Sequence, residues 1–289
     1  MALSIATAAG ILGDAHRRYT LPPRWIRRDS GQLSRNIDTW PILGRPFFAA
    51  PLAVFGVQHL AQPHIIMQVV PAFMPARIFW VYFVGIALVA GAVSIASGKY
   101  LRLSGTLLGF MWLGFVLLIH IPNVVAQSDR FMAALVGRDL SFGVTAWTLV
   151  GNQRLTTASR IVFGVLILFF GVEHLLHPAF APGVPLQIMT PEWIPARPLW
   201  GYVVGAILLA TGVALLLNWH ARVAATWLGV AVTLVVVGIS VPALVAAPHP
   251  FSATQEIDVV FDTLLFAGSA FLLALALPVS HEARVSSTA

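Results

Sequence analysis

Phe55-Gly56-Val57-Gln58-His59-Leu60 comes back as Phe170-Gly171-Val172-Glu173-His174-Leu175. Each copy sets a polar pair inside an apolar segment, a placement that lipid penalises and that therefore marks a site or a buried network. The repeat runs on beyond the hexapeptide. Pro71, Pro75-Ala76-Arg77, Trp80, Tyr82 and Gly85 reappear as Pro191, Pro195-Ala196-Arg197, Trp200, Tyr202 and Gly205. Arg102, Thr106, Leu108-Gly109 and Pro122 return as Arg222, Thr226, Leu228-Gly229 and Pro242, and Asp139 has a counterpart in Asp262.

Of the 289 residues, 58% are hydrophobic and only 10% are charged, and the mean hydropathy is +0.85. Such a chain is an integral membrane protein. The net charge of +6 comes largely from a basic segment ahead of the first span, with Arg17, Arg18, Arg24, Arg27, Arg28, Arg35 and Arg45. That segment, with Trp25 and Trp40, reads as one that lies on anionic lipid, and no nucleic-acid partner is expected. The absence of cysteine excludes thiol chemistry, disulfides and Cys-ligated metal centres, and no metal site is expected.

Eight segments are long and apolar enough to cross about 30 Å of hydrocarbon: 43–62, 78–97, 103–124, 131–151, 158–177, 198–218, 223–246 and 259–279. The sequence thus predicts an all-α polytopic membrane protein of two parallel-repeat four-helix transmembrane bundles. The divisions are a cytoplasmic basic segment at 1–42, a first four-span unit at 43–151, a linker at 152–157, a second unit at 158–279 and a tail at 280–289. Thirteen of the 17 Lys and Arg fall on the side of the termini, which places both termini in the cytoplasm. Four spans per unit send both copies across the membrane in the same direction, so the duplication is parallel rather than inverted.

With that orientation Gln58, His59, Arg77, His120 and Asp139 gather near the outer boundary in the first unit. Glu173, His174, His177, Arg197, Ser240 and Asp262 gather there in the second. Glu173 and His177 share a helix face, whereas Glu173 and His174 point about 100° apart. A carboxylate beside an imidazole and a guanidinium can relay protons or orient a quinone carbonyl, or it can be a satisfied network holding the bundle together. The two units have diverged: Gln58 becomes Glu173 and His120 becomes Ser240, which favours one functional site, in the Glu173 half. Trp80, Trp200, Tyr82 and Tyr202 read first as an interfacial aromatic belt.

The Phe-Gly-x-x-His segments, their continuations His59-Leu-Ala-Gln-Pro63 and His174-Leu-Leu-His-Pro178, and the Pro-Ala-Arg entry to the next span resemble the DoxX/DoxD-like family of bacterial membrane proteins. The likeness covers residues 43–279 as two family-sized units. It implies a four-helix membrane unit in a bacterial inner membrane, and the family includes subunits of a thiosulfate:quinone oxidoreductase. Gln58 and Glu173 fall where members carry a polar or charged residue.

The leading functional expectation is a membrane subunit of a redox-linked system that binds quinone near the outer leaflet. Glu173, His174, His177 and Arg197 are the expected catalytic set: a histidine bonds a quinone oxygen, Glu173 exchanges its proton and Arg197 favours the anion. His59, Arg77, His120, Trp200 and Tyr202 are the expected cofactor contacts. Haem between His59 and His120 is the lesser cofactor expectation. The alternative is a transporter, lipid-binding protein or assembly partner of an extracytoplasmic enzyme.

Overall fold

The computed structural model describes residues 39–127, 129–247 and 254–278. The basic N-terminal segment up to residue 38 and the tail from residue 279 lie outside these residues. Eight long helices make up most of the described chain: α1 Gly44–Ala61, α2 Arg77–Ser97, α3 Leu101–Ala126, α4 Arg130–Ala146, α5 Gln153–Leu176, α6 Arg197–Leu216, α7 Ala221–Ala246 and α8 Thr254–Ala276. Seven are long and apolar enough to span a bilayer. The chain is therefore an all-α, multi-spanning membrane protein. Helix α4 is the exception; the span expected at 131–151 is a 17-residue helix followed by a 3-10 turn, Trp147–Val150. Arg130, Arg138 and Asp139 lower its apolarity.

Both α3 and α7 contain one turn of π-helix, at Val116–His120 and Val236–Ser240, two residues before Pro122 and Pro242 respectively. Proline has no N–H and its ring collides with the carbonyl four residues back. The helix responds by widening to i→i+5 bonds, Ile121 N–H to Val116 O and Val241 N–H to Val236 O. His120 and Ser240 close these turns. The repeated proline therefore sets the rotation at which both residues leave their helices.

The end of the bundle at which α1 begins, here the basal end, is closed by arginines on helix C-termini. Arg102 Nε donates to Val150 O at 3.1 Å, and its counterpart Arg222 donates through Nη1 to Ala274 O and Leu277 O at 2.9 and 3.0 Å. Arg160 Nη1 does the same for Leu215 O and Leu216 O. The last carbonyls of a helix lack intrahelical partners, and a cation there also meets the negative end of the helix dipole. At the opposite, distal end the Pro-Ala-Arg motif starts α2 and α6. Ala76 and Ala196 take left-handed backbone (φ 50° and 52°), and the Trp80 and Trp200 indoles donate to Pro75 O and Pro195 O at 3.0 Å.

Helix packing crosses between the repeats. Helix α1 packs on α2 and on α8; α5 packs on α6 and on α4; α3 packs on α4 and α7 on α8; α4 and α8 meet in the middle. Two closed four-helix bundles would instead have each first helix return to the last helix of its own repeat. The α1–α8 crossing is close because it uses glycine: a β-carbon at Gly44 would lie 2.8 Å from Leu272 N, and one at Gly268 would lie 2.6 Å from Phe48 N. At the matching α4–α5 crossing, Ser159 Oγ donates to Val144 O at 2.5 Å. Helix α8 is the most enclosed, with 78% of its apolar window buried against 28–44% for the other six spans. One main core runs through both repeats, including Phe48, Phe55, Phe142, Phe163, Phe170 and Phe266. Outward-facing Phe79, Phe83, Ile86, Val93, Leu107 and Phe110 give the bundle the apolar belt that lipid requires.

Candidate functional site

A chain of charged side chains lies where α4 and α8 meet. Arg138 Nε donates to Asp139 Oδ1 at 2.7 Å, and its Nη1 donates to Asp262 Oδ2 at 2.7 Å. Asp139 and Asp262 are the repeat-related aspartates, and both are almost fully buried, at 1% and 3% exposure. His120 Nε2, brought in by the π turn of α3, sits 2.8 Å from Asp139 Oδ2. One turn along α8, Asp258 Oδ1 accepts from Gln58 Nε2 at 3.0 Å. One guanidinium thus serves two buried carboxylates, with an imidazole on one side and a third carboxylate held by a neutral amide on the other.

The histidines of the repeated hexapeptide are fixed by the backbone. His59 Nδ1 and His174 Nδ1 each lie 2.7 Å from a carbonyl one turn back, Phe55 O and Phe170 O. A carbonyl only accepts, so each Nδ1 carries the proton and each Nε2 is an acceptor. The rings lean over the glycines of the next helix: a β-carbon at Gly85 would lie 2.9 Å from His59 Cβ, and one at Gly205 would lie 3.1 Å from His174 Cβ. This is why Gly-containing spans recur beside the motif.

The two histidines then part company. His174 is fully buried and its Nε2 accepts from Gly183 N–H at 3.3 Å. Gly183 belongs to a segment, Ala181–Leu186, that the distal loop folds back into the bundle, all six residues being buried. The loop is pinned by Ala181 N–H to Ile188 O (2.9 Å) and Thr190 N–H to Ala179 O (3.0 Å). The interval His174–Pro191 is five residues longer than His59–Pro71, and that surplus supplies the inserted segment. It leaves a gap of only about 10 Å³ among His174, Gly183, Val204, Leu208, Val232 and Val235. In the first repeat the positions of Val232 and Val235 are taken by the larger Trp112 and Phe115, which pack edge to face on each other, Trp112 also on Phe142. His59 is half-buried, and its Nε2 has no partner among the described residues.

The four residues expected as a catalytic set go to separate partners. Glu173 Oε2 accepts from Arg130 Nη1 at 2.8 Å, and the same arginine bonds Leu186 O at 3.3 Å and lies over the Phe180 ring at 4.9 Å. His174 spends both nitrogens as described. His177 ends α5 and rests edge-on against Phe180. Arg197 is exposed, 3.7 Å from Glu192. Among the expected cofactor contacts, Arg77 Nη2 donates to Met67 O at 2.5 Å, the Trp200 indole bonds Pro195 O, and Tyr202 is 48% exposed on the outer face. His120 is the one of these five that the structure brings into the buried charged chain, while His59 follows Gln58, which joins it through Asp258.

Arg130 and Arg138 both lie in α4 and pair with buried carboxylates. Their signal was legible in one respect, since a basic residue directly beside an aspartate in an apolar stretch needs a partner at membrane depth. Gln58–Asp258 and Glu173–Arg130 are also equivalent clasps, each tying the first helix of one repeat to the last helix of the other.

Among the described residues no group of three or more His, Asp or Glu is placed to hold a metal ion. The profile of a domain of unknown function, DUF8561, matches residues 48–147, which lie within the first repeat. No curated protein and no solved structure matches the chain. The likeness to the DoxX/DoxD-like family rests on the sequence motifs.

Proposed function

We propose that the chain is a proton-handling membrane subunit of a redox-linked system, working at the Arg138-centred cluster rather than at Glu173. The observation that carries this reading is the pair Asp139 and Asp262 buried on one guanidinium. With His120 neutral, the three groups keep one surplus negative charge in a region that disfavours it. Binding one proton, on His120 or on a carboxylate, relieves that charge, and releasing it restores the ion pairs. Asp258 and Gln58 extend the path toward the distal end. In this reading α4 is the eighth crossing, both termini are cytoplasmic in a bacterial inner membrane, and Glu173, His174, His177 and Arg197 hold the distal loop in place.

Infrared pH-difference spectra of the purified protein test the proton site. Between about pH 5 and 8, a carboxylic-acid or imidazolium band is expected to appear, and Asp262→Asn and His120→Gln are each expected to alter it. Spectra that show no such band in the folded protein would overturn the reading.

The redox partner we propose is a quinol. His59 Nε2 is an acceptor without a partner among the described residues, on a half-buried ring, suited to a quinol hydroxyl arriving from the bilayer. Extraction of the protein purified in mild detergent is expected to yield quinone, and His59→Phe to lose it. Equal quinone content in the two proteins, or none in either, would remove the quinol from the proposal while leaving the proton site to its own test.

A further inference from the structure

Between the distal loop, the end of α7 and the start of α8 lies a cavity of about 270 Å³, lined among others by Pro191, Trp193, Ser240, Leu244, Glu256 and Val259. Its volume falls just under the roughly 300 Å³ at which small-molecule sites begin. The walls are mostly apolar, and two polar groups in them are without partners among the described residues. Ser240 is 3% exposed, and its hydroxyl has no hydrogen bond among the described residues. Its counterpart in the first repeat, His120, bonds Asp139. The matching aspartate of the second repeat, Asp262, faces Arg138 instead, so the π turn of α7 delivers a spare hydroxyl to the cavity wall. Among the described residues Glu256 is the only ionisable one lining the cavity, and no cation among them pairs with it.

We infer that this cavity binds a small amine with an apolar body. The ammonium pairs with Glu256 and donates to Ser240 Oγ, the hydrocarbon part packs on Pro191, Leu244 and Val259, and the half-exposed Trp193 indole offers its face to the cation at the mouth. A carboxylate at this depth favours a cation over an anion, and an orphaned hydroxyl favours a ligand that brings a hydrogen-bonding group over one that brings none. The site uses none of the groups assigned to proton handling, and the inference does not rest on that reading.

Calorimetric titration of the full chain in detergent micelles with phenethylamine, a cation at neutral pH, tests the site. Saturable binding is expected. Phenethyl alcohol and hydrocinnamate, the neutral and anionic analogues, are expected to bind about tenfold more weakly or not at all. Glu256→Gln is expected to weaken the amine about tenfold, and Leu244→Trp, which fills the cavity, to abolish its binding. Asp262→Asn, within the proton cluster, should leave the amine affinity unchanged. Amine and alcohol binding alike, or Glu256→Gln or Leu244→Trp binding as the unaltered chain does, would overturn the inference. So would loss of amine binding in Asp262→Asn, since the ligand would then be reading the buried cluster.

Discussion

At the scale of single residues, Arg138 holds more than any other side chain, because two carboxylates that cannot reach water depend on it. Removing one partner of a buried charged network leaves the others uncompensated, which costs about 3–5 kcal/mol. Arg138→Leu should therefore depress the thermal transition in detergent sharply. Arg138→Leu combined with Asp139→Asn and Asp262→Asn should recover much of the loss, since the neutral set leaves no bare charge; a triple variant as unstable as the single one would show that Arg138 acts by packing alone. The repeated histidines offer a second comparison. His174→Ala loses bonds at both nitrogens and His59→Ala at one, so the former should be the more destabilising by about 1 kcal/mol. His174→Ala should also speed proteolytic cleavage within residues 178–196, which the His59 variant leaves unchanged. These histidines were legible in the sequence as special, but their partners were not. The bond from Gly183 comes from a loop whose fold depends on Arg130 and on the space left by Val232 and Val235, none of which the motif encodes.

At the scale of elements, most of the helices followed from apolar length alone, and the tandem repeat was readable from the hexapeptide and the Pro-Ala-Arg motif. Helix α4 was the least legible. Its polar residues look like those of a weak span or a loop in one dimension, and only the meeting with α8 supplies their partners. The π turns were hidden for a different reason: proline marks a disturbed helix but does not say whether it will kink or widen. The glycines of the α1–α2 crossing make the strongest element-level prediction. A β-carbon at Gly56 would lie 2.7 Å from Val89 Cγ2 and 2.9 Å from Gly85 O, so Gly56→Leu cannot fit without parting the two helices. Loss of the folded monodisperse species on size-exclusion chromatography is expected. Leu107→Ala on the outer face of α3 should leave that species intact, because Leu107 is 58% exposed in the described structure.

At the scale of the molecule, neither repeat can close its core alone, because α1 finds its partner in α8 and α5 finds its partner in α4. Residues 1–151 and 152–289 produced as separate chains are expected to be unstable singly and to copurify when made together, as judged by affinity capture of a tag on one half. Recovery of either half alone as a stable, folded species would contradict the cross-packing. Sequence spacing could show that the halves are copies, yet not that they are interleaved, since a helix presents the same apolar face whichever copy it packs against.

The traded first helices also bear on how such a chain could arise. A single four-helix unit built this way has no complete form by itself, and its simplest assembly is a two-fold pair of identical chains, each lending its first helix to the other. Joining two genes end to end turns that swapped homodimer into one polypeptide and releases it from symmetry. Only after that step can one position be His120 in one half and Ser240 in the other, or one loop gain five residues while its twin does not. The interleaving is thus what allows a duplicated fold to carry unequal chemistry without coming apart.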